Sequence, residues 1–327
     1  MSPSSPSSPS SPSSTSSPSL GSPADDSGVS VVIATRGRPE LLRSAVRAAF
    51  AQQHSGPVEV VVVFDQVAVD PLDDVEVPAG RALRTIVNAR TPGLAGGRNT
   101  GVAAAVHPLI AFCDDDDEWM PTRLTRQLAA WSDDPAAVML ATGIRIRTAE
   151  SDIDRVPPAR ADFDDFLRSR ITEIHPSSFL IRRADLEGRV GPVDEDLPAS
   201  YGEDYDLLLR AARAGHVLSV PEPLVLVRWN RASFFSEKWE GIAAGLSYLL
   251  RKHPEFARDP RGAARIEGQI AFAHAALRER PAARAWARRA IRHDRRQLRA
   301  WAALLVALRL LPAGALVRAV NRRGRGL

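Results

Sequence analysis

From Val29 to Trp229, short runs of uninterrupted apolar residues alternate with stretches in which apolar positions recur every three or four residues. Val29 to Ala34 is such a run. It is followed by Thr35-Arg36-Gly37-Arg38-Pro39 and then by Leu41, Leu42, Ala45, Val46, Ala49 and Phe50 on one stripe, with Pro39 suited to a first helical turn. Val58 to Phe64 is a second run, ending at Asp65. Continuous rather than alternating hydrophobicity suits parallel strands covered on both faces. Strand, helix, strand at this spacing predicts a βαβ unit with a right-handed crossover. Residues 67–81 read as a loop or short helix, Leu83 to Val87 as a third strand, Val102 to Val106 as a helix and Leu109 to Cys113 as a further strand.

Beyond it, Trp119 and Pro121 open a helix marked by Leu124, Leu128 and Trp131, and Val138 to Arg147 predicts a strand bent at Gly143. Residues 149–162 read as a polar loop, Phe163 to Leu167 as a short helix and His175 to Ile181 as a strand. A helix stopped by Gly215 and strands Val217 to Val220 and Leu224 to Trp229 follow, the last leading into Asn230-Arg231-Ala232-Ser233. From Lys238 onward the pattern is helical, with segments near 242–250, 263–277, 282–291 and 298–310 that suit a small antiparallel bundle. The fold class predicted is α/β, a mostly parallel sheet flanked by helices, followed by a C-terminal α-helical region.

The run Leu109 to Cys113 ends abruptly in Asp114-Asp115-Asp116-Asp117-Glu118. The carboxyl edge of an open α/β sheet is where ligands bind. Adjacent carboxylates repel and are costly to desolvate, so a compact site built from them holds a hard divalent cation, here Mg²⁺ or Mn²⁺. A solvated loop or a helix N-terminus accounts for such acids equally well. Glu203 and Asp204 form a second acidic cluster at the start of their helix, which capping and the helix dipole account for equally well. The glycines of Thr91 to Gly101 do not spell the dinucleotide fingerprint and follow the third strand, so no dinucleotide cofactor is expected. They serve either close backbone packing or a phosphate site with Arg98.

At 327 residues and 44% hydrophobic, the chain can bury a large core and carry a smaller appendage. Its single cysteine, Cys113, excludes an internal disulfide, suits a reducing compartment and is expected to be a small buried core residue. Residues 1–28, nearly all Ser, Pro and Gly, lack the apolar and basic regions of a targeting peptide and predict a disordered tail. Arg251 to Leu327 holds 19 Arg and Lys against 5 Asp and Glu, a net of +14 in a chain of +4, which leaves −10 for the remainder. Such a basic end meets anionic lipid or nucleic acid, or simply reflects arginine-rich composition. Trp301 to Val320 is mostly apolar but carries Arg309, Pro312 and Arg318, too interrupted to span a bilayer. It reads as an interfacial helix or as an ordinary helix of the bundle.

Five stretches in this order, Val29 to Arg36, Val61 to Asp65, Gly93 to Gly101, Asp114 to Pro121 and Gly202 to Leu207, resemble the inverting nucleotide-sugar glycosyltransferases of family 2. The resemblance covers residues 29–235 and implies the GT-A fold, a Rossmann-like nucleotide-diphospho-sugar transferase sheet. It divides the chain into a tail (1–28), a transferase domain (29–235) and a basic helical region (236–327). It implies that Thr35 and Asp65 contact the base, Asp65 accepting from a uracil-type imide, with Arg36 and Arg98 near the nucleotide and its diphosphate. Asp114 and Asp116 match the family's D-x-D pair, with Asp115 between them in the nucleotide site and Asp116 the stronger expectation for direct metal contact. Asp204 matches the catalytic base.

A UDP-type donor, a carbohydrate or lipid-linked acceptor in cell-envelope glycan synthesis, and a cytoplasmic location at or near the inner membrane face follow from the same resemblance. No nucleic-acid partner is expected. The second strand ends Phe64-Asp65-Gln66 where the family usually has two acids and Gly-Ser, which leaves base preference open. The processive Q-x-x-R-W signature is absent, so single-sugar addition is expected; Arg228, beside Trp229, faces phosphate or simply ends a strand. A metal-dependent nucleotidyltransferase lacks support because no glycine-rich, lysine-containing loop follows the first strand. An inactive transferase-like domain that binds a membrane or partner is disfavoured by the retained Asp116 and Asp204.

Overall fold

A computed structural model describes residues 26–148, 151–228 and 239–321. The predicted tail, Trp229 and residues 230–233 therefore lie outside the described residues, apart from the tail's last three positions. In chain order the elements are β1 (Val29–Thr35), α1 (Pro39–Phe50), β2 (Val58–Phe64), β3 (Arg81–Val87), α2 (Leu94–Ala104), β4 (Leu109–Asp114), β5 (Glu118–Trp119) and α3 (Arg123–Asp133). They continue as β6 (Met139–Arg147), β7 (Asp152–Arg155), β8 (Arg160–Ala161), α4 (Phe163–Arg168), β9 (Leu180–Arg182), α5 (Arg183–Glu187), α6 (Glu203–Ala214) and β10 (Val217–Arg228). The C-terminal helices are α7 (Trp239–Lys252), α8 (Pro260–Ala276), α9 (Arg280–His293), α10 (Leu298–Ala307) and α11 (Ala313–Asn321).

One sheet runs β3-β2-β1-β4-β9-β6-β10-β5, with β7 added on β6 and β8 on β10. Strands β3, β2, β1 and β4 are mutually parallel, β10 is parallel to β6, and β9 runs antiparallel to both β4 and β6. Side chains of β1 alternate between two cores, which is why the strand is apolar throughout. Val29, Val31 and Ile33 pack with Leu42 and Val46 of α1 and Leu124 of α3, whereas Val32 packs on the other face with Ala95, Phe166 and Leu207. The polar exceptions satisfy each other: Ser30 Oγ donates to buried Glu59 at 2.5 Å, and the Val106 amide reaches the same carboxylate at 2.6 Å.

Several expected elements are drawn differently. The glycines of residues 93–101 lie mostly inside α2, which begins at Leu94 rather than Val102. A Cβ on Gly101 would stand 2.3 Å from Val32 Cγ1 and one on Gly97 2.9 Å from Ala34 Cβ, so these glycines let α2 lie close on β1, while Gly96 leaves room for the Thr91 carbonyl of the preceding turn. Trp119 and Pro121 do not open a helix. Trp119 pairs as β5 with Val225, and α3 starts at Arg123. The polar stretch 149–162 contains β7 and β8, fixed by edge pairing onto β6 and β10. His175 to Ile181 is a helical turn at Pro176–Ser178 followed by β9. The two last strands are one, β10, with register shifts around Pro221-Glu222-Pro223, where prolines cannot donate to the ladder.

Leu246 and Leu249 of α7 and Ile266 and Ile270 of α8 belong to the same buried cluster as Phe166 and Leu207. Beyond them, α8, α9 and α10 meet through buried alanines, among them Ala271, Ala275, Ala283, Ala287, Ala290, Ala300, Ala303 and Ala307. Asp206 of α6 pins the two regions together. Its carboxylate, wholly buried, accepts from His253 Nε2 at 2.8 Å and Arg210 Nε at 2.8 Å and pairs with Lys252 Nζ at 2.8 Å. Burial alone would raise its pKa, but the His253 hydrogen bond and the Arg210 and Lys252 charges outweigh it and hold the carboxyl well below the usual range. We expect Asp206→Asn to lose about 3 kcal/mol in urea unfolding at neutral pH. Because the native pKa is depressed, the gap from wild type should stay full above about pH 5 and shrink as pH falls through the unfolded-state carboxylate pKa of about 3.9.

Candidate active site

Parallel pairing of β1 with β2 and β4 sets Thr35, Asp65 and Asp114 side by side at one carboxyl edge of the sheet, with Thr35 opposite Phe64 and Ala34 opposite Asp114. The acids that follow β4 form a tight turn, in which the Asp117 amide donates to the Asp114 carbonyl at 3.2 Å. Their partners come from separate segments, with Arg38 shared by Asp115 and Asp116. Asp114 accepts from Arg98 Nη2 at 2.8 Å. Asp115 accepts from Thr35 Oγ1 at 2.7 Å and Arg38 Nη1 at 3.1 Å, and Asp116 pairs with the same guanidinium of Arg38. Asp117 accepts from Ser177 Oγ at 2.5 Å and stands 3.4 Å from His175 Nδ1.

Asp114, Asp117 and His175 offer ligand atoms within 4.8 Å of one another. Burial, followed by the Asp114 and Asp116 charges, pushes the Asp117 carboxyl well above its ordinary pKa, and burial pushes the His175 imidazole down despite Asp114 and Asp204 nearby. Two crowded carboxylates and a neutral imidazole are a donor set that fits Mg²⁺ or, with its nitrogen ligand, Mn²⁺. Asp116, singled out in the sequence, is turned to Arg38, and burial with the Asp114 charge pushes its carboxyl to about 6. Buried Arg123 stacks 3.7 Å over the Trp119 ring, and Trp119 Nε1 donates to the Ser177 carbonyl at 2.9 Å.

Arg98 is internal. It is 2% exposed, lies over the Phe112 ring, and bridges Asp114 to Glu203 Oε1, the latter at 2.7 Å. The Gly93 amide donates to Asp65 at 3.1 Å. Asp65 also accepts from Asn88 and Gln66 at 2.8 and 2.9 Å; these bonds overcome burial and lower its pKa. Among the expected nucleotide contacts, Arg36 alone is an exposed side chain.

At the start of α6, both carboxylate oxygens of Asp204 accept from Arg170 Nη2, at 2.6 and 2.8 Å. Burial opposes ionisation there, yet Arg170 and then Arg98 hold Asp204 below its ordinary pKa. Glu203, one residue earlier, goes the other way: burial and the Asp204 charge raise it to about 7 against Arg98. Arg228 pairs with Glu118. Sequence reading missed Asp117, His175, Arg38 and Arg170. Only Asp117 had a local signal, as the fourth acid of the run; the others are brought in from separate loops.

The family model for glycosyl transferase family 2 matches residues 30–189, ending before α6 and Asp204. The amylovoran biosynthesis glycosyltransferase AmsE of Erwinia amylovora is 25% identical over 205 residues, covering 61% of this chain and 75% of AmsE. Three further relatives are spanned for only 54 to 59% of their own length. S. aureus TarS 1–349 in complex with UDP-GlcNAc superposes with a TM-score of 0.54 at 16% identity, covering 91% of this chain and 92% of that one. The Pyrobaculum calidifontis mannosyltransferase PcManGT in complex with GDP-Man and Mn²⁺ gives 0.53 at 18% identity, covering 86% of each chain. The fold is therefore GT-A, with a C-terminal helical region.

Replacing Arg98 strands two carboxylates, one of them fully enclosed. Arg98→Met should cost about 3–5 kcal/mol, read as a fall in Tm of roughly 10 °C for a chain of this size. Adding Glu203→Gln should restore part of it, a coupling that a double-mutant cycle measures directly.

Proposed function

We propose that this chain, which belongs to glycosyl transferase family 2, transfers one sugar from a nucleoside-diphosphate donor to an acceptor hydroxyl, with inversion, in envelope glycan synthesis. The observation that carries the reading is Asp204, a buried carboxylate at the start of α6 that Arg170 holds toward its charged form, together with a group of metal-ligating type formed by Asp114 at the end of β4, Asp117 and His175. AmsE's part in amylovoran synthesis supports the envelope setting, and the missing processive signature supports single addition.

We assign the base end of the donor to Thr35, Arg36 and Asp65, with uridine preferred because Asp65 can accept from an imide once Gln66 gives way. Asp115 and Asp114 lie toward the ribose. Asp114, Asp117 and His175 would hold Mg²⁺ or Mn²⁺, and such an ion supplies charge neutralisation for a departing diphosphate. PcManGT's complex with Mn²⁺ supports that choice. Arg98 acts as a positioning residue, because both of its outer nitrogens serve Asp114 and Glu203. Asp204 takes the proton of the acceptor hydroxyl as that oxygen attacks the anomeric carbon, displacing one bond from Arg170. A single base acting in one displacement gives inversion, as it does in one-step glycosidases. Residues 29–235 constitute the transferase unit in this proposal, and 236–327 a basic helical region.

Three experiments bear on it. A UDP-sugar with Mn²⁺ should raise Tm in wild type and in Asp116→Asn, while Asp117→Asn should lose the metal-dependent part; the opposite pattern would return the metal to Asp116. Asp204→Asn should lower kcat about 10³-fold with donor affinity unchanged. Arg170→Gln should move the acidic limb of the kcat–pH profile to higher pH, since Arg170 lowers the pKa of the base. An active Asp204→Asn enzyme would overturn the base assignment.

A further inference from the structure

Helix α10 presents its apolar residues the wrong way round for a water-facing helix. Ala300, Ala303 and Ala307 form its buried seam against α8 and α9, while Leu298 (79% exposed), Trp301 (47%), Leu305 (38%) and Leu308 (55%) stand on the opposite side. Their spacing of three, four and three residues makes one stripe. Leu310 and Leu311, also exposed, extend it beyond the helix end. Small residues inside and large apolar residues outside is the reverse of what a water-exposed helix carries. Trp301 Nε1 donates to the Arg295 carbonyl at 2.9 Å, which fixes the indole at the α9–α10 turn. Exposed Arg292, Arg295 and Arg296 flank the stripe at that end, and exposed Arg309 flanks it at the other.

We propose that this face of α10 docks on an anionic bilayer surface, its Leu and Trp side chains entering the headgroup–acyl boundary while the flanking arginines meet anionic headgroups. An amphipathic ring with a polar edge favours that boundary, and basic residues around it add attraction to anionic lipid. Charge selects this occupant over a second copy. The segment Arg251 to Leu327 carries a net of +14, and a two-fold contact through α10 would bring two such segments together. The contact is peripheral, because no described helix is long and apolar enough to cross a membrane. Since α7 and α8 share a core with the sheet, docking through α10 would hold the whole transferase body at the surface. The inference stands on exposure and charge alone and is independent of the sugar-transfer reading.

The test uses the full chain, sedimented with phosphatidylcholine vesicles with and without phosphatidylglycerol, at low and high salt. Wild type should bind the phosphatidylglycerol vesicles, bind the neutral ones weakly, and release as salt rises. Trp301→Glu/Leu305→Glu, at exposed positions, should keep the wild-type circular dichroism and cooperative thermal unfolding yet lose at least about tenfold in vesicle partitioning. Equal binding by the variant, or no binding by wild type, would overturn the proposal. So would light scattering that finds a wild-type dimer and a monomeric variant, since the face would then belong to a second copy.

Discussion

Arg98 is the interaction on which the rest of the site depends. One guanidinium, enclosed between α2 and the Phe112 ring, joins the acid that ends β4 to the acid that begins α6. Without it, Asp114 and Glu203 would sit near each other with nothing to offset their repulsion, and the low polarity of the surroundings would amplify that repulsion. With it, the ends of two elements far apart in sequence have a fixed separation. The glycines of α2 serve the same end. By letting the helix lie close on β1, they bring the arginine within reach of both carboxylates.

The two acids at the start of α6 show how position sets chemistry. Glu203 and Asp204 are adjacent and both enclosed, yet one is driven toward its neutral form and the other toward its charged form. The difference lies in their partners. Arg170 gives Asp204 a two-oxygen contact, whereas Glu203 has one bond from an arginine already shared with Asp114. A carboxylate kept ionised beside a cation is ready to accept a proton once an incoming hydroxyl takes over one of its bonds. The same logic runs through the β4 turn, where Arg38 takes Asp115 and Asp116 while Asp117 is left crowded against Asp114.

The C-terminal helices are tied to this centre by a second charged knot. Asp206 stands two residues beyond Asp204 on α6 and gathers His253 and Lys252 from the end of α7 and its following turn. The helix that carries the proposed base is thereby anchored at both faces. Farther out, contacts between helices shrink to alanine seams, and α10 is left with its large apolar side chains in solvent.

By itself the sequence determined the buried runs of β1, β2 and β4, the stripe of α1 and the placing of acids at strand ends, because periodicity and burial on two faces are local properties of the chain, whereas β5, β7 and β8 depend on edge pairing with distant strands. It marked Thr35, Asp65, Asp114 and Asp204, each next to a strand or helix terminus, and the buried Cys113. It also fixed the strong charge contrast between the two ends. Only the tertiary structure decided which acids stand together in the cluster of metal-ligating type. His175 and Ser177 come from a loop some sixty residues after the acidic run, and the antiparallel insertion of β9 between β4 and β6 is what delivers them to it. The same holds for Arg170, for the inward turn of Arg98, and for the outward face of α10. Side-chain pairing across distant segments depends on how elements stack, and no window of sequence contains that geometry.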